Sequence, residues 1–211
     1  MANLSEYISV VGAGEAAIEI KRSRFIGLAA PVADEEAARA LLASVRDRQR
    51  GANHNAYAYR VGLGAMTERA SDDGEPAGTA GRPLLEILGR RGLRNVIVIV
   101  TRYFGGTLLG AGGLLRAYSQ AGAAAIDAAG VARYCERAVL AVSVDYPLWS
   151  KVEHELGRQG IVTRGVEYTD RVTVRALVAP AAIAGLSAAI RDMTAGSAVI
   201  TEERREYVAV D

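Results

Sequence analysis

The chain contains a single cysteine, Cys135, so it can form no internal disulfide and no metal site with several cysteine ligands. It has no apolar run near the roughly 20 residues that a membrane-spanning helix needs. Residues 1–7 lack the basic and apolar segments of a signal peptide. We therefore expect a cytoplasmic protein that associates with no membrane, and we assign it no metal and no cofactor.

Charge of one sign is also lacking, because 25 basic and 24 acidic side chains leave a formal net charge of +1. A strongly basic nucleic-acid-binding surface is thereby excluded, and any such site must be a local patch. Half of the 211 residues are hydrophobic, so the chain can bury a core in one or two domains and is not intrinsically disordered.

The C-terminal third has the clearest pattern of helices and strands. Period-two alternation of apolar residues predicts strands near 138–144, 162–168, 172–178 and 198–208. Pro147 and Pro180 each open a segment with apolar residues at helical spacing. The resulting βαββαβ order is the ferredoxin-like arrangement, which closes its own core. We therefore predict two domains, 1–134 and 135–211.

The N-terminal part predicts a mixture of strands and helices. Asp34 is a plausible N-cap for the first helix, and the β-branched run at 95–101 is typical of a strand buried on both faces. The predicted strands are 7–11, 16–20, 24–30, 54–62 and 95–101; the predicted helices are 35–50, a short one near Pro83 and one from after Gly113 to about 129. Residues 71–81 are polar and rich in glycine, which predicts a loop or an irregular edge.

Two segments, 71–83 and 101–116, are too rich in glycine and charge to be simple connections. The second leaves the buried strand, passes five glycines and enters a helix, so its backbone N–H groups can face an anion. It is neither a P-loop nor a dinucleotide fingerprint, since Ala111-Gly112 stands in place of Lys-Ser/Thr and Leu115 in place of the third glycine. An equally weighted alternative is that these glycines only permit tight turns and close packing.

Both segments, together with Ser23-Arg24-Phe25-Ile26 and residues 54–57, resemble the signature of the YigZ/IMPACT family. The resemblance covers nearly the whole chain. It implies an α+β protein with an N-terminal left-handed βαβ domain of the type shared by a ribosomal protein and elongation factor G. It also implies that the ferredoxin-like C-terminal domain is similar to a late domain of that factor.

The resemblance also implies a function linked to translation. Eukaryotic members restrain translational control during amino-acid starvation by competing for a co-activator of the responsible kinase, and nucleic-acid binding linked to translation is the usual proposal for bacterial members. This sequence departs from the family pattern at Leu108, Ala77 and Asn55, where members often carry lysine, serine and cysteine.

The candidate binding site is a cationic and aromatic patch around the glycine loop. Arginines beside an aromatic side chain can stack on an unpaired base while they contact phosphates. We predict that one outward surface is formed by Arg24, Asn53, His54, Arg82, Arg102, Tyr103, Gly105, Gly106 and Arg116, with Lys21 and Arg22 as further cations. Any single arginine can instead be ordinary solvated surface, and His54 can be a strand-end histidine bonded to the backbone.

These residues leave three functions open. The first is a non-catalytic, translation-linked regulator that binds RNA or DNA, or a ribosome-associated or regulatory protein. The second is a hydrolase or phosphotransferase for a small phosphorylated substrate, with His54 beside Asp72 or Asp73. The third is a protein-interaction module. For the acids we expect turn formation or a salt bridge to Arg82, and we assign no catalytic residue.

Overall fold

The computed structural model describes residues 4–210. The chain divides into two compact units, one formed by the residues up to Tyr134 together with the end of the chain from Ala209, the other by Cys135–Val208. Helices and strands alternate irregularly along both units, and the predicted α+β class is confirmed.

The first unit contains six strands and three helices within the described residues. The strands are β1 (Glu6–Val10), β2 (Gly14–Ile20), β3 (Ser23–Pro31), β4 (His54–Val61), β5 (Thr67–Ser71) and β6 (Val96–Tyr103). The helices are α1 (Glu35–Arg48), α2 (Gly81–Arg90) and α3 (Ala111–Ala129). Asp34 caps α1 as predicted, since its Oδ1 accepts the Ala37 N–H at 2.8 Å.

One antiparallel sheet, in the order β2-β3-β6-β4-β5, organises this unit. Successive side chains of β6 point to opposite faces of the sheet. Val96, Val98 and Val100 pack in one core with α2 and α3, whereas Ile97 and Ile99 pack in the other with α1. The apolar run that predicted a doubly buried strand is therefore confirmed, and its alternation fixes which helices each neighbouring side chain can meet.

Small side chains bring α3 almost into backbone contact with the sheet. A Cβ added to Gly27 of β3 would lie 2.5 Å from the carbonyl oxygen of Ala121, and one added to Gly14 would meet the backbone of Ala129. The alanine-rich composition of α3 permits this packing.

The differences from the sequence prediction include a missed strand, an early start of α3, and a strand after α3 that begins at Val131 rather than near 138. β5 was missed because Thr67-Glu68-Arg69-Ala70-Ser71 has no apolar alternation; it is an exposed edge strand whose charged side chains are typical of edges. α3 begins at Ala111 rather than after Gly113, so two glycines lie inside its first turn.

The second unit has the predicted βαββαβ order. Its elements are β7 (Val131–Val144), whose first residues belong to the first unit, α4 (Tyr146–Arg158), β8 (Val162–Tyr168), β9 (Val172–Val178), a 3₁₀ turn (Pro180–Ala182), α5 (Ile183–Met193) and β10 (Val199–Val210). β7 pairs with β9 and β10, and β9 pairs with β8. The inward residues of β7 and β9 form one core with α4 and α5. No helix among residues 4–210 is long and apolar enough to cross a bilayer.

Candidate functional site

The candidate residues at the end of β6 are divided between the two faces of the sheet. Arg102 has the same parity as Val100 and faces α3, opposite Phe25 of β3. Tyr103 is paired with Arg24, which is exposed on the other face, and the Tyr103 hydroxyl donates to Gln49 at 2.5 Å. The prediction of one outward surface is therefore wrong, because adjacent residues of a strand point in opposite directions.

Arg102 is buried rather than offered to a ligand. Its Nη1 donates to both carboxylate oxygens of Glu75, at 2.7 and 3.0 Å, and the two side chains are only 7% and 2% exposed. Glu75 also accepts the Tyr118 hydroxyl proton at 2.7 Å, and burial, reinforced by this bond, raises the pKa of Tyr118. Arg102, Glu75 and Tyr118 thus form a buried network. The salt bridge that we expected between Arg82 and the acids of residues 72–75 is wrong, because Arg82 pairs with Glu86.

The neighbouring acids are also occupied within the fold. Burial alone raises the pKa of Asp72, but bonds from the N–H groups of Gly78, Ala80 and Gly81 outweigh it and hold that pKa below its ordinary value. Asp72 thereby caps the start of α2, consistent with the predicted turn-forming role. Asp73 accepts from Arg46 and from the backbone of β4.

His54 is bonded to the backbone. Its Nδ1 lies 2.8 Å from the carbonyl oxygen of Asp73. A carbonyl oxygen only accepts, so Nδ1 carries a proton and donates this bond. Neither carboxylate of Asp72 or Asp73 bonds the ring among the described contacts, so the histidine–carboxylate pair of the hydrolase alternative is not formed.

A cleft of about 420 Å³ opens above this network. Asn53, His54, Arg102 and Glu75 line it, and the remainder comes from Gly74 and Pro76, from the glycine loop and from the first turn of α3. Phe104 is 45% exposed and Leu108 is 82% exposed, so the cleft is lined by two accessible apolar side chains. The Arg102 guanidinium lies 5.5 Å from the centre of the Phe104 ring, which holds the ring in place by a cation–π contact.

The glycine loop is packed against the turn between β2 and β3. A Cβ on Gly105 would collide with the backbone of Arg22, and the Gly105 N–H donates to Ser23 at 3.1 Å. Arg22 in turn donates to the Thr107 hydroxyl at 2.9 Å. Packing therefore requires glycine at 105 and places the Lys21-Arg22 turn next to the loop.

The remaining predicted residues lie elsewhere or serve the backbone. Arg82 of α2 pairs with Glu86 at 3.1 Å, and Arg116 of α3 lines a second groove. Gly106 and Gly110 have φ values of 80° and 72°, which favour glycine. Phe104 was not singled out in the sequence, although its position just beyond a buried strand, beside glycines, marks it as an exposed aromatic.

The described residues contain no cluster of three or more His, Cys, Asp or Glu side chains that could hold a metal ion. The cleft presents the hydrogen-bonding side chains of Asn53 and His54 beside the apolar side chains of Phe104 and Leu108.

Comparison with known proteins shows the family. The Impact N-terminal domain model matches residues 21–126, and a domain of unknown function, DUF1949, matches residues 142–197. The chain is 35% identical to the IMPACT family member YvyE of Bacillus subtilis, over 97% of this chain and 94% of that protein. It is also 35% identical to the IMPACT family member YigZ of Escherichia coli, over 85% and 89% of the two chains.

A solved structure supports the same assignment. The crystal structure of a hypothetical protein that is 31% identical matches with a TM-score of 0.62, covering 95% of this chain and all of the other. The cleft and the glycine loop both lie within the matched N-terminal segment, which begins at Lys21. The chain belongs to the IMPACT family.

Proposed function

We propose that this protein is a non-catalytic, translation-linked regulator that binds single-stranded RNA through a surface we call the loop face. The loop face consists of Lys21, Arg22, Phe104 and the glycine loop 105–110. The link to translation rests on the likeness to the IMPACT family, and the choice of RNA rests on the contacts described below.

The observation that carries the proposal is the strained turn between β2 and β3. Lys21 and Arg22 have φ values of 48° and 65°, the left-handed conformation that two-residue hairpins normally give to Asn-Gly. Long side chains there cost about 1–2 kcal/mol per residue. The fold therefore holds two cations at a position where they lower its stability, which supports a binding role for them.

These cations are available to a ligand. Both side chains are exposed, and neither forms an ion pair with any residue in the range 4–210. The Arg22 guanidinium donates a hydrogen bond to a neutral hydroxyl, that of Thr107. Two free cations about one chain step apart can neutralise neighbouring phosphates of a single strand.

The rest of the loop face suits an unpaired base. Arg102 lies against Phe104 from within, while the exposed part of the ring is accessible to stack on a base. Asn53 and His54 line the same cleft. The first turn of α3 has no side-chain cap, so its N–H groups add a favourable field for a phosphate.

Fluorescence anisotropy with a labelled single-stranded RNA tests the proposal. The double variant Lys21→Asn/Arg22→Gly installs the preferred turn sequence, so it should gain stability while it loses affinity. Because Kobs varies roughly as the −0.7 power of salt for each phosphate contact, two lost contacts should weaken binding about 25-fold near 0.1 M salt. Phe104→Ala should weaken it by a further 1–3 kcal/mol, approximately.

The matched control is Lys151→Asn, which removes the only other lysine, an exposed residue of α4. Its affinity for the RNA should equal that of the unsubstituted protein. Equal affinity of the turn variant and the unsubstituted protein, or no RNA binding at low salt, would contradict the proposal.

A further inference from the structure

A second groove lies between α2 and α3 and shares no lining residue with the cleft. Its volume is about 490 Å³, and its lining comes from Ile87, Arg90 and Arg91 on one side and Leu115, Arg116, Ser119, Gln120 and Ala123 on the other. The groove belongs entirely to the first unit.

The floor and the rim of this groove differ in chemistry. Ile87 and Ala123 supply apolar surface, and Leu115 of α3 is 46% exposed. Arg90 and Arg116 are exposed and form no ion pair with any residue between 4 and 210. An apolar strip bordered by free cations is therefore left without a partner.

The local charge is positive even though the whole chain is nearly neutral. Residues 81–91 and 111–129 contain four arginines, Arg82, Arg90, Arg91 and Arg116, against two acids, Glu86 and Asp127. Both acids are engaged, Glu86 with Arg82 at 3.1 Å and Asp127 with Arg91 at 2.5 Å. The uncompensated charge thus falls on Arg90 and Arg116, on opposite sides of the groove.

We propose that this groove binds an acidic, amphipathic helical segment of a partner protein. Grooves between two helices accept a third helix through its apolar stripe, while charged flanking residues set specificity. The part of α3 that lines the groove, from Leu115 to Ala123, spans about 12 Å, which corresponds to roughly two turns of such a segment. The partner would place apolar side chains at helical spacing over Leu115 and carboxylates beside Arg90 and Arg116.

A protein segment fits this groove better than RNA does. No aromatic ring lines it, so a base has nothing to stack on, in contrast to the loop face with Phe104. A phosphate backbone would not bury the apolar floor of the groove, whereas leucine-type side chains of a helical segment would cover this floor and exclude water from it. This inference is independent of RNA binding at the loop face.

The test uses the full chain and an 18-residue helical peptide with leucines at i, i+3 and i+4 spacing and glutamates flanking them. Isothermal titration should show saturable binding at low salt. The same peptide with glutamine for every glutamate should bind at least tenfold more weakly, and a scrambled peptide of equal charge should also lose affinity. Polyuridylate should not compete for the groove.

Variants assign the binding to the groove. Arg116→Ala and Arg90→Ala should each lower the affinity for the peptide roughly two- to fivefold. Leu115→Ser should lower it by a similar factor through lost apolar contact. The matched control is Arg48→Ala, since Arg48 is an exposed arginine of α1 on the other face of the sheet. All these side chains are exposed, so the variants should fold.

Three results would overturn the inference. The first is peptide binding that is unaffected by Arg116→Ala and Leu115→Ser. The second is equal or tighter binding of polyuridylate that these variants abolish, which would make the groove a nucleic-acid site. The third is a concentration-dependent dimer, lost in Leu115→Ser, which would mean that a second copy covers the groove.

Discussion

The buried pair of Arg102 and Glu75 gives the sharpest prediction about the first unit. We consider Glu75→Leu, Arg102→Met and the double variant. Each substitution replaces a charged side chain with an unbranched or branched apolar one, so the main change is the loss of charge and hydrogen bonds inside the network with Tyr118.

The magnitudes follow from what each change leaves unpaired. Removing one partner of a buried ion pair costs about 3–5 kcal/mol, because the other charge stays buried. Arg102→Met leaves Glu75 with its hydrogen bond from Tyr118. Glu75→Leu instead removes the acceptor of both the Arg102 guanidinium and the Tyr118 hydroxyl. An unsatisfied buried hydroxyl adds about 1–3 kcal/mol, so Glu75→Leu should be the more harmful change. The double variant should be less destabilised than the sum of the two, since no charge remains buried.

Hydrogen exchange followed by mass spectrometry measures this effect locally. Amides of β6 should exchange faster by roughly two to three and a half powers of ten in the single variants, as expected for 3–5 kcal/mol. Amides of β9 in the second unit serve as the control within the same molecule. Costs below about 1 kcal/mol for both single variants, or strictly additive costs in the double variant, would refute the reasoning.

Four further substitutions test other contacts. Asp72→Ala should lower the free energy of unfolding by about 1–2 kcal/mol at pH 7. Because the folded pKa of Asp72 lies below its unfolded value, this difference should persist above about pH 4 and fade as the pH drops through the folded pKa. Urea midpoints at pH 7 and pH 3 measure the difference. Gly105→Ala should destabilise the fold by about 1–3 kcal/mol and weaken RNA binding, because the new Cβ meets the Arg22 backbone. Gly112 has open space around it, so Gly112→Ala should stabilise α3 by up to about 1 kcal/mol, which thermal melts can measure. Leu108→Lys should raise RNA affinity about fivefold near 0.1 M salt by adding one phosphate contact beside the cleft.

The fold could be predicted well where one pattern dominates locally. The β-branched run at 95–101 and the alternation in the second unit identified β6, β7 and β9, because burial of whole faces imposes those patterns. β5 could not be found in this way. Its stability comes from pairing with β4 at an exposed edge, which leaves no apolar signature in the sequence.

The sequence could predict which segments form the candidate site but not in which direction their side chains point. The glycine loop and residues 71–83 do meet around the cleft. The sequence could not show that Arg102 turns inward, because that depends on the parity set by the pairing of β3 with β6. It also could not show that Glu75, rather than a solvent ion, neutralises Arg102, since the two residues lie 27 positions apart.

The strain at Lys21 and Arg22 is likewise invisible in the sequence. A two-residue turn requires left-handed backbone at both positions only once the register of β2 and β3 is fixed. The sequence placed these residues among the candidate cations, and the structure adds the physical reason to single them out.

The salt dependence of RNA binding shows whether the β2–β3 turn contacts phosphates. Log Kobs for a single-stranded RNA should be measured against log salt concentration for the unsubstituted protein and for Lys21→Asn/Arg22→Gly. If Lys21 and Arg22 each neutralise one phosphate, the variant has the shallower slope, by about 1.4, because each lost phosphate contact contributes roughly 0.7. Two parallel lines would show that the turn touches no phosphate and that RNA does not bind there.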